Sequence, residues 1–377
     1  MVLVNFGLSK VETLKEMKEE MQNYLVKYTD EIENYDNKSQ KTNDKKIKTY
    51  IIESNNPKPE DVIWPENINL IPTKDRNLKL IKTKISNNQG ISYLDCSDPR
   101  FWYLHTNIDS NNTKKIINDL VNHNKSKLDF CWYSSNFLEK KVGFGKSEGF
   151  NIKFRNEFLT KKEKNEENSV KEFSMLLFGG GAKEVLDSLR QKGNPLISNV
   201  TLTQIKQTFN SDSGFVKESI GYKGSFTLNK GDSIINHFNT LDSVKNKYFN
   251  IINRLENEYR IKFSGNESGI KIDGMYSLIE FNKEIEDLNL FIDRIFSTKK
   301  PFRLWGIPQY LEKDFVRVLA VDLHTFDKFT LEITPNYMRI FLSENSCGNV
   351  IVRLFTNLQL FFDSQIKLKG YDDEQFI

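Results

Sequence analysis

The segment NVIVRLFTNLQLFFDSQIKL, residues 349–368, constrains the fold more than any other stretch of the chain. Read as a helix, it carries Val350, Ile351, Leu354, Phe355, Leu358, Phe361 and Phe362 and is apolar over most of its circumference, where a surface helix would show one stripe. Such a helix has to be enclosed, so its deletion is expected to abolish folding. The chain has the material to enclose it. Of 377 residues, 38% are hydrophobic and 28% charged, and 28 Phe with 14 Tyr supply large side chains for burial, enough for about two domains.

What precedes the helix alternates as strands do. VLAVDLHTFDKFTLEITP, residues 318–335, reads as a hairpin, and YMRIFLS as a further strand. Across residues 224–308 the periodicities follow the order βαββαβ, the split-βαβ order of ferredoxin-like domains. The expected class is therefore α+β, with antiparallel and mixed sheets covered by helices. The C-terminal half is expected to have ferredoxin-like order, completed by a hairpin and a buried C-terminal helix. The expected divisions are residues 1–92 (helix and connector), 93–215 (central mixed domain) and 216–377 (ferredoxin-like domain).

Near the N-terminus, Ser9 and Glu12 have the spacing of a capping box. Val11, Leu14, Met17, Met21, Leu25, Tyr28 and Ile32 then recur at helical steps. This predicts one long amphipathic helix that either docks on its own domain or pairs with a partner, so a protein partner or self-association through it is expected. Residues 55–72 hold four prolines and read as an irregular connector; residues 34–48 and 161–171 read as charged loops.

Charge and cysteine usage narrow the function classes. The formal net charge of +3, from 54 basic and 51 acidic residues, does not mark the whole chain as a nucleic-acid binder; only a local patch can. Cys96, Cys131 and Cys347 form no Cys-x-x-Cys pair, which argues against a structural zinc site or a disulfide framework. No signal-peptide pattern and no apolar run of spanning length is present, so no membrane association and a cytoplasmic location are expected.

Several stretches resemble chemical motifs and depart from them at a needed position. Gly145-Lys146-Ser147 ends like a phosphate loop, but Lys140 stands where the first glycine is required and a strand follows where a helix is needed. The same segment, with Lys141, Gly143, Phe144 and Gly145, approximates the basic-Gly-aromatic-Gly start of an RNA-binding strand, with Phe101 and Tyr103 on an earlier strand. Its continuation lacks the stacking aromatics. Gly179, Gly180 and Gly181 join a strand to a helix, where exposed amides can hold an anion.

Asp322 and His324 share one face of an apolar strand, and Glu332 lies on the next strand. An even turn sets the Asp322 face against Phe329, Leu331 and Ile333, whereas an odd turn or bulge brings Glu332 to Asp322 and assembles a site for Mg²⁺ or Mn²⁺. His105, in a second Leu-His-Thr setting, reads as a strand-end residue. Finally, KPFRLWGIPQY, residues 300–310, places Arg303, Trp305 and Tyr310 at a strand, a combination that can grip single-stranded nucleic acid.

These readings predict a non-enzymatic intracellular binding protein without a cofactor, either a nucleic-acid-binding or a complex-forming component. Lys141, Phe144, Lys146, Arg303, Trp305 and Tyr310 are its candidate contacts. The alternatives are a metal-dependent nuclease or phosphoesterase using Asp322, His324 and Glu332, and a nucleotide or anion sensor at Gly179–Gly181.

Overall fold

The structure is a computed structural model that describes residues 6, 11–34, 45–55, 58–85, 88–142, 145–155, 158, 172–191, 200–266 and 269–377. Ser9, Phe144 and most of both expected charged loops lie outside them. Along the chain the main elements are α1 (Leu14–Asn34), β1 (Lys48–Ser54), β2 (Ile68–Pro72), β3 (Leu78–Ile85), β4 (Asn88–Asp95), β5 (Phe101–Thr106), α2 (Ser110–His123) and β6 (Leu128–Phe130). They continue with β7 (Lys146–Arg155), β8 (Glu172–Phe178), α3 (Ala182–Gln191), β9 (Thr201–Ser211), β10 (Gly214–Gly221), β11 (Ser225–Gly231) and α4 (Ile234–Glu258). The remainder is β12 (Lys262–Asn266), β13 (Gly269–Asp273), β14 (Ser277–Glu280), α5 (Leu288–Ile295), β15 (Leu304–Glu312), β16 (Phe315–Asp322), β17 (Lys328–Ile333), β18 (Tyr337–Leu342), α6 (Asn349–Phe361) and β19 (Lys367–Gly370). The class is α+β, as expected. Among the described residues no helix is long and apolar enough to cross a membrane.

The chain divides into two compact units, each assembled from separate stretches. The first takes the described residues of Met1–Cys131, Gly145–Glu148 and Ile205–Lys245; the second takes those of Trp132–Phe144, Gly149–Gln204 and Asn246–Ile377. The expected divisions at 92/93 and 215/216 instead cut through β4 and β10. Local patterns could not reveal this, because sheet partners here come from distant segments.

In the first unit the strand order is β2-β3-β4-β5-β1-β11-β10-β9, with β6 also pairing with β1. The stretch expected to be a connector supplies β2, whose Pro72 is tolerated because this strand lies at the end of the order. Helix α1 begins with a capping box four residues later than expected: Thr13 Oγ1 accepts the Glu16 amide at 3.3 Å, and Glu16 Oε2 accepts the Thr13 amide at 3.0 Å. Met17, Met21, Leu25 and Tyr28 are buried within the unit. On the same helix Thr29 Oγ1 donates to the Gly231 carbonyl at 2.7 Å. The stripe expected to recruit a partner is thus already covered. At the β10–β11 turn Gly224 has φ +64°, and a Cβ there would lie 2.7 Å from the Ile51 carbonyl oxygen, so the turn needs glycine.

The second unit holds a six-stranded antiparallel sheet of order β15-β16-β17-β18-β14-β19. The ferredoxin-like arrangement is not formed. Of its expected strands, β11 belongs to the first unit's sheet, β12 and β13 pair with each other, β14 lies between β18 and β19, and β15 is an edge. Element order alone does not choose partners: Ile279 on β14 faces Met338 on one side and Leu368 on the other, both far along the chain.

Helix α6 is enclosed as its composition requires, with every residue from Asn349 to Leu360 buried. Part of the phenylalanine content forms one cluster, in which the Phe291 and Phe362 rings are 4.9 Å apart and Phe281 lies 5.6 Å from each. Two polar residues of α6 are anchored by hydrogen bonds: Asn357 donates to the Pro301 carbonyl at 3.2 Å, and Gln359 accepts the Ser135 amide at 2.9 Å.

Candidate functional site

The register of the β16–β17 hairpin decides the fate of the candidate metal site. Val321 pairs with Lys328, Ala320 with Phe329 and Arg317 with Glu332; Asp322 and Asp327 close the turn through an amide-to-carbonyl bond of 2.9 Å. The turn is even. Asp322 therefore shares the inner face with Val318 and Ala320, while Glu332 shares the outer face with its neighbour Arg317. The expected grouping of Asp322, His324 and Glu332 around Mg²⁺ or Mn²⁺ is not assembled, because its two carboxylates face opposite sides of the sheet.

Asp322 has a different employment. Its carboxylate pairs with the guanidinium of Arg353 on α6 and accepts the amides of His324 at 2.7 Å and Thr325 at 2.8 Å; Asp322 is 1% exposed and Arg353 5%. Burial raises the pKa of this carboxyl, but the Arg353 charge and the two amides outweigh it, leaving a net shift below the ordinary carboxylate value. His324, also buried, presents Nδ1 to Arg303 Nη1 at 3.4 Å. A guanidinium only donates, so that ring nitrogen accepts. Asp322, His324, Arg303 and Arg353 together form the polar seam that fastens the hairpin to the central helix. Arg353 was not singled out from sequence, although a lone arginine in an apolar helix demands a buried counter-ion.

Gly179–Gly181 are exposed at the turn into α3, with Gly179 at φ +98°. An acid, Glu184, already occupies the first turn of that helix, where it competes with an incoming anion. Lys146 is exposed at the start of β7, and Lys141 lies in the helical turn Leu138–Val142. Phe101 and Tyr103 are buried on β5 and offer no stacking surface.

The segment around residue 305 gives a more extended surface. Trp305 pairs with Val321 and Ile307 with Leu319, which places Trp305, Ile307 and Leu319 side by side on the outer face; they are 46%, 50% and 46% exposed. Arg317 continues this row on β16. On the same face Glu332 takes Arg317 at 2.8 Å and Arg339 at 3.6 Å. The Arg339 guanidinium lies 5.0 Å from the ring centres of both Tyr276 and Tyr337, and Tyr276 lies 5.8 Å from Phe341. At the far edge Glu280 faces Lys367 at 3.6 Å and also pairs with Lys369.

The outer face thus carries an aromatic and apolar row with Arg317, Arg339, Lys328, Lys367 and Lys369 against Glu280, Glu312 and Glu332. Of the three residues expected to act together here, only Trp305 belongs to this face. Arg303 turns to His324, and Tyr310 pairs with the inner-face Val316 while remaining exposed at the end of β15. Arg317 and Arg339 were missed, yet each stands at an outward position of an alternating strand, which is legible once the strand's inner face is assigned.

Comparison with known proteins places the chain. The model of MJECL33-like proteins matches residues 5–377. The chain belongs to the MJECL33-like family. A curated relative from Methanocaldococcus jannaschii, described as uncharacterized protein MJECL33, is 30% identical over 366 residues, covering 86% of each chain. No solved structure matches.

Proposed function

We propose that the chain is a binding protein that takes single-stranded nucleic acid across the outer face of the six-stranded sheet in its second unit. The observation that supports this most is the arrangement around Arg339, whose guanidinium lies against Tyr276 and Tyr337 on a face that also exposes Trp305. Single strands present unpaired base faces and a regular line of phosphates. Proteins hold them by stacking bases on aromatic rings and arginine planes while basic side chains follow the backbone. The outer face carries both elements in strand-spaced rows, and its basic residues outnumber its acidic ones. This local excess is compatible with the near-neutral whole chain, because association depends on the field at the contact surface.

The test is fluorescence anisotropy with a labelled single-stranded DNA or RNA oligonucleotide and the full chain. Expected is saturable binding that weakens linearly with log salt, with a slope of about −0.7 per phosphate neutralised. Binding absent at low salt, or insensitive to salt, refutes the reading.

A further inference from the structure

In the first unit four buried side chains from four elements form a continuous line of hydrogen bonds. Glu218 Oε2 on β10 lies 2.8 Å from His237 Nδ1 on α4. His237 Nε2 lies 2.8 Å from Thr49 Oγ1 on β1, and the same hydroxyl lies 2.8 Å from His105 Nδ1 on β5. All four residues are 0% exposed. The outer atoms of the line, His105 Nε2 and Glu218 Oε1, are buried without a hydrogen-bond partner among the described residues.

Hydrogen-bond arithmetic permits only linked arrangements. A hydroxyl has one proton, so Thr49 donates to one imidazole and accepts from the other. With Glu218 ionised and His237 neutral, His237 Nδ1–H donates to the carboxylate, Thr49 donates to the bare His237 Nε2, and His105 donates through Nδ1–H. His105 Nε2 is then a bare lone pair. Adding one proton reverses the line: His237 carries protons on both nitrogens, Thr49 donates to His105, and His105 keeps a single proton, now on Nε2.

We propose that Glu218, His237, Thr49 and His105 form a proton wire through the core of the first unit, taking up a proton at His105 Nε2 and delivering the charge to His237 beside Glu218. The step balances atom by atom. With one proton added at His105 Nε2, the Nδ1 proton of His105 passes to Thr49 Oγ1, and the Thr49 proton passes to His237 Nε2. Thr49 ends as a hydroxyl, His105 ends neutral, and the positive charge rests next to the Glu218 carboxylate. His105 thereby reports, by its tautomer, the charge of a pair it does not touch.

The surroundings favour that end state. Burial, then the charges of His237 and Lys18, push His105 well below the ordinary imidazole range, so charge does not stay on it. Groups facing His105 are Lys18 from α1, Tyr93 opposite it on β4 with its hydroxyl bonded to Glu20, and Tyr103 with its hydroxyl bonded to Asp242. The rings of Phe226 and Phe238 flank His237 and bring no charge, leaving Glu218 as its only direct ionic partner among the described residues.

The experiment is a long-range ¹H–¹⁵N spectrum of the full chain with histidine rings labelled, recorded from about pH 5 to pH 8, where imidazole charge changes are ordinarily found. The chain has 4 His, and the exposed His123 is removed by His123→Gln to simplify assignment. Expected is that His105 moves its proton from Nδ1 to Nε2, without becoming charged, in step with the appearance of a second proton on His237. A His105 tautomer that stays unchanged across the series overturns the wire, as does a change of tautomer without a second proton on His237 or a His105 that becomes charged. Thr49→Ser is expected to keep the linkage and Thr49→Val to abolish it; the wild-type spectrum decides the matter even where Thr49→Val does not fold.

Discussion

Asp322, at the end of β16, and Arg353, in the middle of α6, form an ion pair enclosed in the second unit, with His324 and Thr325 amides completing the carboxylate's partners. One residue ends a strand of the hairpin and the other sits in a helix buried from Asn349 to Leu360. Removing one partner leaves the other charge buried and uncompensated. Asp322→Ala is therefore expected to destabilise the protein by about 3–5 kcal/mol in urea denaturation, with Arg353→Met less damaging than Arg353→Ala because it fills the volume. A loss under about 1 kcal/mol contradicts this assignment.

The same pair gives a pH dependence with a definite sign. The Asp322 pKa is lower folded than unfolded, so its contribution is fully present above the unfolded aspartate value of about 3.9 and is lost as pH falls through the lower folded value. Urea midpoints of wild type and Asp322→Asn should therefore converge as the pH is taken below about 3.9. A constant difference down through that range counts against a depressed carboxyl.

Much of this fold was readable residue by residue, and the failures have identifiable causes. The apolar girth of α6, the inner faces of β16 and β17 and the docked stripe of α1 follow from periodicity, which is local. Which strands lie together does not, since β14 finds its partners in β18 and β19 and the first unit's sheet gathers strands from both ends of its sequence. At the candidate sites the alternation placed Asp322 and His324 correctly on one face but could not count the residues of the turn, and that count sends Glu332 to the other side. The lone Arg353 and the polar interruption at Asp322 were complementary anomalies, each visible separately; pairing them required the fold.

Helix α1 offers a test of docking. Met21 is fully buried, so Met21→Ala should cost about 2–5 kcal/mol, and Thr13→Ala, which removes the hydroxyl half of the capping box, about 1 kcal/mol. Both are read by chemical denaturation at two protein concentrations. A cost that appears only at the higher concentration would show that the stripe is buried between copies of the chain.

The cysteines report on the first unit without mutation. Burial, first, and the nearby carboxylates push the Cys96 and Cys131 thiols well above their ordinary value, so thiolate is scarce at either site. Alkylation with iodoacetamide at about pH 8 should modify both slowly in the folded chain and quickly in denaturant. Rapid modification of Cys131 under native conditions would show that the strand end at Phe130 opens readily.

The outer sheet face is the centre of the functional account, and the affinity of Trp305→Ala and Arg339→Ala for a single-stranded oligonucleotide tests it most directly. Each stacking side chain removed should cost about 1–3 kcal/mol, close to tenfold or more in Kd, and loss of Arg339 should also reduce the salt slope by about 0.7. Both variants alter exposed or half-exposed positions, so their urea midpoints should stay near wild type. Wild-type affinity and slope in both variants, with binding otherwise intact, would contradict the account and place the interface elsewhere on the chain.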